Sequence, residues 1–145
     1  MRRIFADANV LMAGADSRSG ASRAVLMLAE VGLFRLVVCR QVLDEAERNL
    51  RQKLPRALPI FTEIMAVLNL EILPDPPLTA YARWLNAIEV KDAPILEAAV
   101  ASGVDRLITL NTKDFTPAVA AKTGLMIQTP GQFINDIRYL ITTEL

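Results

Sequence analysis

Short apolar runs alternate with amphipathic stretches along the whole chain. The runs predict strands at residues 4–6, 34–39, 70–73, 105–110 and 125–129. Each run is too short for a typical helix and rich in aliphatic or β-branched residues, as in strands buried within a parallel sheet. The stretches between them repeat apolar positions every three or four residues, which predicts helices.

Helices are predicted after Asp7 and at residues 21–31, 40–54, 60–68, 79–88, 93–102, 117–123 and 130–142. A polar loop at residues 14–20 is expected to close the first helix, and no regular structure is expected in the proline-rich residues 74–77. Regular alternation of strands and helices predicts an α/β fold, a three-layer α/β/α arrangement around a five-stranded parallel sheet.

The totals agree with one folded domain over residues 1–145. Hydrophobic residues make up 52% of the chain and charged residues 22%, a globular composition. The net charge is zero, which argues against coating nucleic acid by bulk charge, although basic residues predominate in residues 1–56. Asp7 interrupts the first apolar run too early for a signal peptide, and no apolar stretch reaches membrane-spanning length. We therefore expect a cytoplasmic protein.

The chain contains no histidine and one cysteine, Cys39. These counts exclude imidazole bases, Ser-His and Cys-His nucleophile pairs, internal disulfides and thiolate zinc sites. Cys39 is interpreted as a buried apolar residue. Catalysis, if present, must use carboxylates, hydroxyls, Lys, Arg or a metal.

Acidic residues stand where predicted strands end or helices begin. Asp7 follows the first strand, a position suited both to capping the next helix and to meeting ligands beyond the strand ends. Asp92 precedes the apolar helix 93–102, and Asp114 closes the turn after the fourth strand. Capping would explain each of these residues without any function.

The helix after residue 39 adds Asp44, Glu45 and Glu47, and helical spacing does not select one of them. Because the acids follow strands or open helices, all can meet at one edge of the sheet. Clustered carboxylates raise one another's pKa unless a cation neutralises them, and oxygen ligands favour Mg²⁺ or Mn²⁺. Such ions act on phosphates and activate water, so no imidazole is needed.

The motifs resemble those of the PIN-domain ribonucleases, and of a branch that contains toxins of toxin–antitoxin pairs. The similarity rests on FADANVLMAG with the following SRSGAS, on RQVLDEAERNL and on VKDAPILEAAVASGVDRLITLNTKDF. By this resemblance, the catalytic and metal-binding acids are Asp7, Glu45, Asp92 and Asp114. The supporting polar residues are Asn9, Thr109 and Asn111. Some relatives carry an acid where this chain has Asn111.

The resemblance implies Mg²⁺- or Mn²⁺-dependent cleavage of single-stranded or looped RNA by an activated water. It also implies a homodimer and an antitoxin that blocks the site. Basic residues beside the motifs are candidates for RNA binding, with solvated surface residues as the alternative; they are Arg18, Arg23, Arg40, Arg48, Lys91 and Lys113. Trp84 and Phe115 are interpreted as packing residues rather than base-stacking ones.

Two other functions are alternatives to this prediction. Phosphatases of the haloacid dehalogenase type also place an Asp after the first strand, but they need a second Asp where this chain has Asn9. A PIN-like module that binds RNA or protein without catalysis is the other alternative. The full set of four acids argues against a decayed site.

Overall fold

The computed structural model describes residues 1–144 of the chain. The strands within these residues are β1 (Arg3–Ala6), β2 (Arg35–Cys39), β3 (Glu71–Leu73), β4 (Arg106–Ile108) and β5 (Met126–Gln128). They form one parallel sheet in the order β3-β2-β1-β4-β5. Parallel strands need crossover connections, and helices provide them here. The sheet confirms the predicted α/β fold class.

The helices described over the same residues are α1 (Ala8–Asp16), α2 (Ala21–Glu30), α3 (Arg40–Lys53), α4 (Leu58–Val67), α5 (Leu78–Tyr81), α6 (Ala93–Ala101), α7 (Pro117–Thr123) and α8 (Pro130–Glu144). Short 3-10 helices cover Pro55–Ala57 and Ala82–Trp84. None of the helices within residues 1–144 combines the length and the apolar content that a membrane span requires.

The strand order reverses beside β1. From β1 the chain moves outward to β2 and β3, then returns to β4 on the other side of β1 and continues to β5. The carboxyl ends of β1 and β4 therefore flank the point where the order changes, which is the usual ligand site of open α/β sheets.

The core is centred on the middle strands of the sheet. Phe5, Val37, Val38 and Leu107 have no exposed surface. Cys39 is also fully buried, in agreement with its interpretation as an apolar residue, and burial raises the pKa of its thiol to about 12. Continuous burial on both sheet faces explains why these strands read as unbroken apolar runs.

Helix α1 extends into residues 14–16, which were predicted to belong to the loop at residues 14–20. Helix α1 continues to Asp16 because Gly14 serves packing and does not end the helix. A Cβ atom at this position would collide with the Leu26 side chain of α2. The glycine therefore permits close contact between the two helices.

The helix predicted at residues 79–88 is wrong as a continuous element. Only one turn, α5, is α-helical, and a 3-10 helix and turns follow it. The Nε of Arg83 and the indole Nε1 of Trp84 donate to Glu97 Oε1 at 2.7 and 2.8 Å. Glu97 is buried in α6, so this tertiary contact overrides the local helical preference.

Candidate active site

Asp7 is held at the end of the central strand by the sheet itself. Its backbone N donates to Ile108 O at 3.0 Å, which continues the pairing of β1 and β4 by one residue. Its side chain is 5% exposed, and Oδ1 accepts a hydrogen bond from Ala8 N at 2.8 Å. Asp7 thus caps α1, which is one of the two roles that its position in the sequence suggested.

The second oxygen of Asp7 faces the polar groups at the end of β4. Oδ2 accepts from Thr109 Oγ1 at 2.8 Å and from Asn9 Nδ2 at 3.3 Å. Asn9 Oδ1 in turn accepts from Leu110 N at 3.0 Å. Burial raises the pKa of Asp7, while the hydrogen bonds from Thr109, Ala8 and Asn9 act in the opposite direction. The carboxylate is fixed in place from both sides.

Asp92 occupies the residue before α6 but does not cap it with its side chain. The residue is 6% exposed, and its Oδ2 is buried without a hydrogen-bond partner among residues 1–144. The pKa of Asp92 is raised to about 7, first by burial, then by the adjacent Asp114 carboxyl and the charge of Asp7. Capping therefore accounts for Asp7 but leaves Asp92 unexplained.

Asp114 is ordered by the turn that follows β4. Asn111 Nδ2 donates to Asp114 Oδ2 at 3.0 Å, and Asp114 N donates to Asn111 Oδ1 at 3.2 Å. The hydrogen bond from Asn111, followed by the influence of the adjacent Asp92 carboxyl, holds the pKa of Asp114 below its usual value. The cap of α7 is Thr116, whose Oγ1 accepts from Val119 N, so Asp114 has no capping role there.

The structure distinguishes the three acids of α3, Asp44, Glu45 and Glu47, which helical spacing alone could not tell apart. Glu47 forms an exposed ion pair with Arg51 at 2.9 Å, outside the cleft. Asp44 and Glu45 both line the cleft, and Glu45 is half-buried. Burial and then the charge of Asp7 raise the pKa of Glu45, whereas the charges of Arg48 and Lys91 lower it.

The cleft at this edge of the sheet has a volume of about 360 Å³. Its lining residues are Gln41, Asp44, Glu45, Arg48, Asp75, Lys91 and Asp92. Gln41 and Asp75 were not predicted as site residues. The signal for Asp75 was its position shortly after a strand, the same signal that marked Asp7. No local pattern marked Gln41.

Three of the predicted basic residues lie at or beside the cleft. Arg48 and Lys91 line it, and Lys113 lines a neighbouring depression of about 550 Å³ together with Asp114. All three side chains are exposed. They surround the carboxylates with positive charge that can attract a phosphate backbone.

The other three predicted basic residues have different surroundings. Arg23 donates to the carbonyl oxygens of Gly14 and Ala15 and thereby closes the end of α1. Arg18 is exposed in the loop between α1 and α2, and Arg40 is exposed at the first residue of α3. Neither Arg18 nor Arg40 lines the cleft.

The donor set suits a hard divalent cation, since carboxylate oxygens are the ligands that Mg²⁺ and Mn²⁺ prefer. The unpartnered, buried Oδ2 of Asp92 is an acceptor for which residues 1–144 offer no donor. Across this same span, however, no three His, Cys, Asp or Glu side chains are grouped so that they could hold a metal ion as they stand. The four-acid ligand set stays a prediction.

A family model described as PIN domain matches residues 3–113 of the chain. The chain belongs to the PIN-domain family. The match includes Asp7, Glu45 and Asp92, and it ends one residue before Asp114. No curated protein matches the chain in sequence.

Several solved structures share this PIN-domain fold. The structure of VapBC2 from Rickettsia felis bound to a DNA fragment from their promoter has a TM-score of 0.65 at 16% identity, covering 88% of this chain and 98% of that one. PAE2754 from Pyrobaculum aerophilum has a TM-score of 0.64 at 19% identity, covering 92% and 88%. VapBC-1 from nontypeable Haemophilus influenzae has a TM-score of 0.61 at 18% identity, covering 89% and 98%.

Proposed function

We propose that this PIN-domain protein is a Mg²⁺- or Mn²⁺-dependent endoribonuclease. The observation that carries the proposal is the buried carboxylate oxygen of Asp92, which has no hydrogen-bond partner in the described part of the chain and lies where the charge of Asp7 also acts. In a family of nucleases, a buried acid of this kind is best explained as a cation ligand. Asp7, Glu45, Asp92 and Asp114 are the proposed ligands and catalytic residues.

Two of the four proposed ligands are held in place by neighbouring side chains. Thr109 and Asn9 hold Asp7 in one orientation, and Asn111 does the same for Asp114. In this proposal Glu45 and Asp92 bind the same cation, whose positive charge would offset the repulsion between the clustered carboxylates. A divalent cation bound there would polarise a phosphodiester oxygen and lower the pKa of the attacking water.

Substrate approach would depend on local charge, because the net charge of the whole chain is zero. Arg48, Lys91 and Lys113 lie at or beside the cleft, and we infer that they contact the phosphates on either side of the cleaved bond. Arg18 and Arg40 could extend this contact along the surface. Arg23 is engaged with backbone carbonyls, which makes it the weakest of the six predicted RNA ligands.

We further propose that the protein is a cytoplasmic toxin with a cognate antitoxin and that it forms a homodimer. The structural similarity to VapBC proteins of two organisms supports the toxin–antitoxin pairing, whereas the homodimer rests on the motif resemblance alone. A gene for a small inhibitor next to the gene of this chain would be consistent with the pairing. Sedimentation as a monomer at working concentration would contradict the homodimer.

The nuclease proposal is tested with single-stranded RNA, Mn²⁺ and the Asp7→Asn variant. Asparagine caps helices as well as aspartate does, so D7N removes the charge and keeps the cap of α1. We expect wild-type cleavage to stop with a chelator and to fall at least about 100-fold in D7N, because several kcal/mol of electrostatic stabilisation are lost. Asp16→Asn, an exposed change at the end of the same helix, is the control.

Other outcomes would favour the alternatives. Turnover of small phosphate esters without RNA cleavage would indicate a phosphatase. RNA binding that is insensitive to chelation, with no cleavage by the wild type, would indicate a binding module.

A further inference from the structure

Three segments from distant parts of the chain line the cleft: the start of α3, the residues after β3, and the turns before α6. Only the first two directly follow strands that pair with each other. The start of α3 follows β2, and Asp75 follows β3, so the pairing of Cys39 with Leu73 places these two segments side by side. Lys91 and Asp92 instead lie in the turns that precede α6. The sheet ladder does not determine their distance from α3.

Gln41 connects all three segments with two hydrogen bonds. Its backbone N donates to Asp75 Oδ1 at 2.8 Å, a contact between residues 34 positions apart. Its side-chain Nε2 donates to the carbonyl oxygen of Lys91 at 2.9 Å, across 50 positions. The second bond joins α3 directly to the residue that precedes Asp92.

The helix places Gln41 on the same face as one of the proposed ligands. Gln41 and Glu45 are four residues apart, which is the spacing of neighbours along a helix face. Both line the cleft together with Asp92. An amide suits this position because it donates to a carbonyl without adding charge to a group of acids. A carboxylate of the same length would have no proton to donate.

We propose that Gln41 is a positioning residue for the metal site. By holding the Lys91 carbonyl against the start of α3, it sets the separation between Glu45 and Asp92 and thereby the affinity of the cleft for a divalent cation. This inference rests on the proposed function, because it assumes that both acids bind the same ion. It assigns Gln41 no contact with substrate.

The test compares Mn²⁺ binding by the wild type, Gln41→Met and Gln52→Met, measured by titration calorimetry on the full chain. Methionine has a similar length to glutamine but no donor, and Gln52 is an exposed residue of the same helix. Residues that orient metal ligands typically change affinity 10- to 100-fold, so we expect Mn²⁺ to bind about tenfold more weakly to Q41M and within about twofold of wild type to Q52M. The electron paramagnetic resonance spectrum of bound Mn²⁺ should change in Q41M alone.

The results separate this inference from the nuclease proposal. Unchanged Mn²⁺ affinity and spectrum in Q41M, with binding lost in D7N, would overturn the role of Gln41 and leave the nuclease proposal standing. Absence of Mn²⁺ binding in the wild type would overturn both. Equally weakened Mn²⁺ binding in Q41M and Q52M would show a general effect of altering α3 and would also overturn the role of Gln41. If Q41M fails to fold, Gln41→Ala decides by the same criteria.

Discussion

The carboxylate of Asp7 accepts hydrogen bonds from a backbone amide, a hydroxyl and a side-chain amide. The first of these caps a helix, the hydroxyl of Thr109 ties the end of β1 to the residue after β4, and the side-chain amide comes from Asn9 in α1. Capping and site formation were alternatives for Asp7 at the level of sequence. The structure shows that its two oxygens face different partners, so the residue can serve both purposes.

Thr109→Val tests the support of Asp7 at the scale of one hydroxyl group. Valine keeps the shape but removes the donor to Asp7 Oδ2 and the acceptor for Asn111 N. A buried hydrogen bond to a charged group contributes about 1.5–3 kcal/mol, so we expect the free energy of unfolding in urea to fall by about this amount. Thr109→Ser retains the hydroxyl and serves as the control. Equal stability of T109V and wild type would contradict the prediction.

The ionisation of Asp92 should make stability depend on pH. Its pKa is raised from 3.8 to about 7, so the folded chain holds a proton that the unfolded chain loses within this window. The free energy of unfolding, measured without added metal, should therefore decrease as the pH rises from about 4 to about 7 and then level off. The raised pKa values of Asp7 and Glu45 act in the same direction, whereas the lowered pKa of Asp114 acts in the opposite direction only below its usual value of 3.8.

Asp92→Asn isolates this contribution. The variant should exceed the wild type in stability by about 1 kcal/mol or more near pH 8 and differ little from it near pH 4. Urea unfolding at the two pH values provides the measurement, and Asp44→Asn, an exposed acid of the same cleft, is the control. A stability gain that is the same at both pH values would argue against a strained carboxylate at this position.

At the scale of elements, α3 begins without a capping side chain of its own. Cys39 occupies its N-cap position and makes no side-chain cap hydrogen bond. Asp75 provides one instead from the loop after β3, by accepting from Gln41 N. The amphipathic pattern of residues 40–54 predicted the helix, but this cap joins residues from different elements and has no local signature.

Asp75→Ala should therefore weaken α3 although the substitution lies outside that helix. Loss of a helix cap costs about 0.5–2 kcal/mol, and we expect a decrease of that size in the free energy of unfolding. Asp75→Asn keeps an acceptor oxygen and should retain most of the stability. Both variants are compared with the wild type by urea unfolding. A loss of similar size in D75N would point to the charge of Asp75, and not to the cap, as the cause.

At the scale of the whole molecule, the even charge balance means that RNA binding must depend on a few residues. Arg48, Lys91 and Lys113 lie at or beside the cleft, whereas the 16 basic and 16 acidic residues of the whole chain sum to zero. Each phosphate contact to a single strand contributes about −0.7 to the slope of log K against log salt, so three contacts predict a slope of about −2.

Lys113→Gln should reduce the magnitude of this slope by about 0.7. The measurement is binding of a labelled single-stranded RNA at several salt concentrations, in the D7N background so that the RNA stays intact. Lys122→Gln, an exposed substitution in α7, is the matched control and should leave the slope unchanged. Unaltered salt dependence in K113Q would remove Lys113 from the RNA-binding surface.

The sequence by itself determined the strands, most helices and the parallel α/β architecture, because buried strands and amphipathic helices leave distinct local patterns. The exceptions were the end of α1, where Gly14 packs against Leu26, and residues 79–88, where Arg83 and Trp84 donate to Glu97 of α6. Motif similarity also selected the four acids. Only the tertiary structure decided which oxygen of Asp7 caps α1, that Asp92 has a free buried oxygen, and that Gln41 and Asp75 join the cleft. The hydrogen bonds of Gln41 with Asp75 and Lys91, and that of Thr109 with Asp7, join residues 34 to 102 positions apart, and no local pattern encodes them.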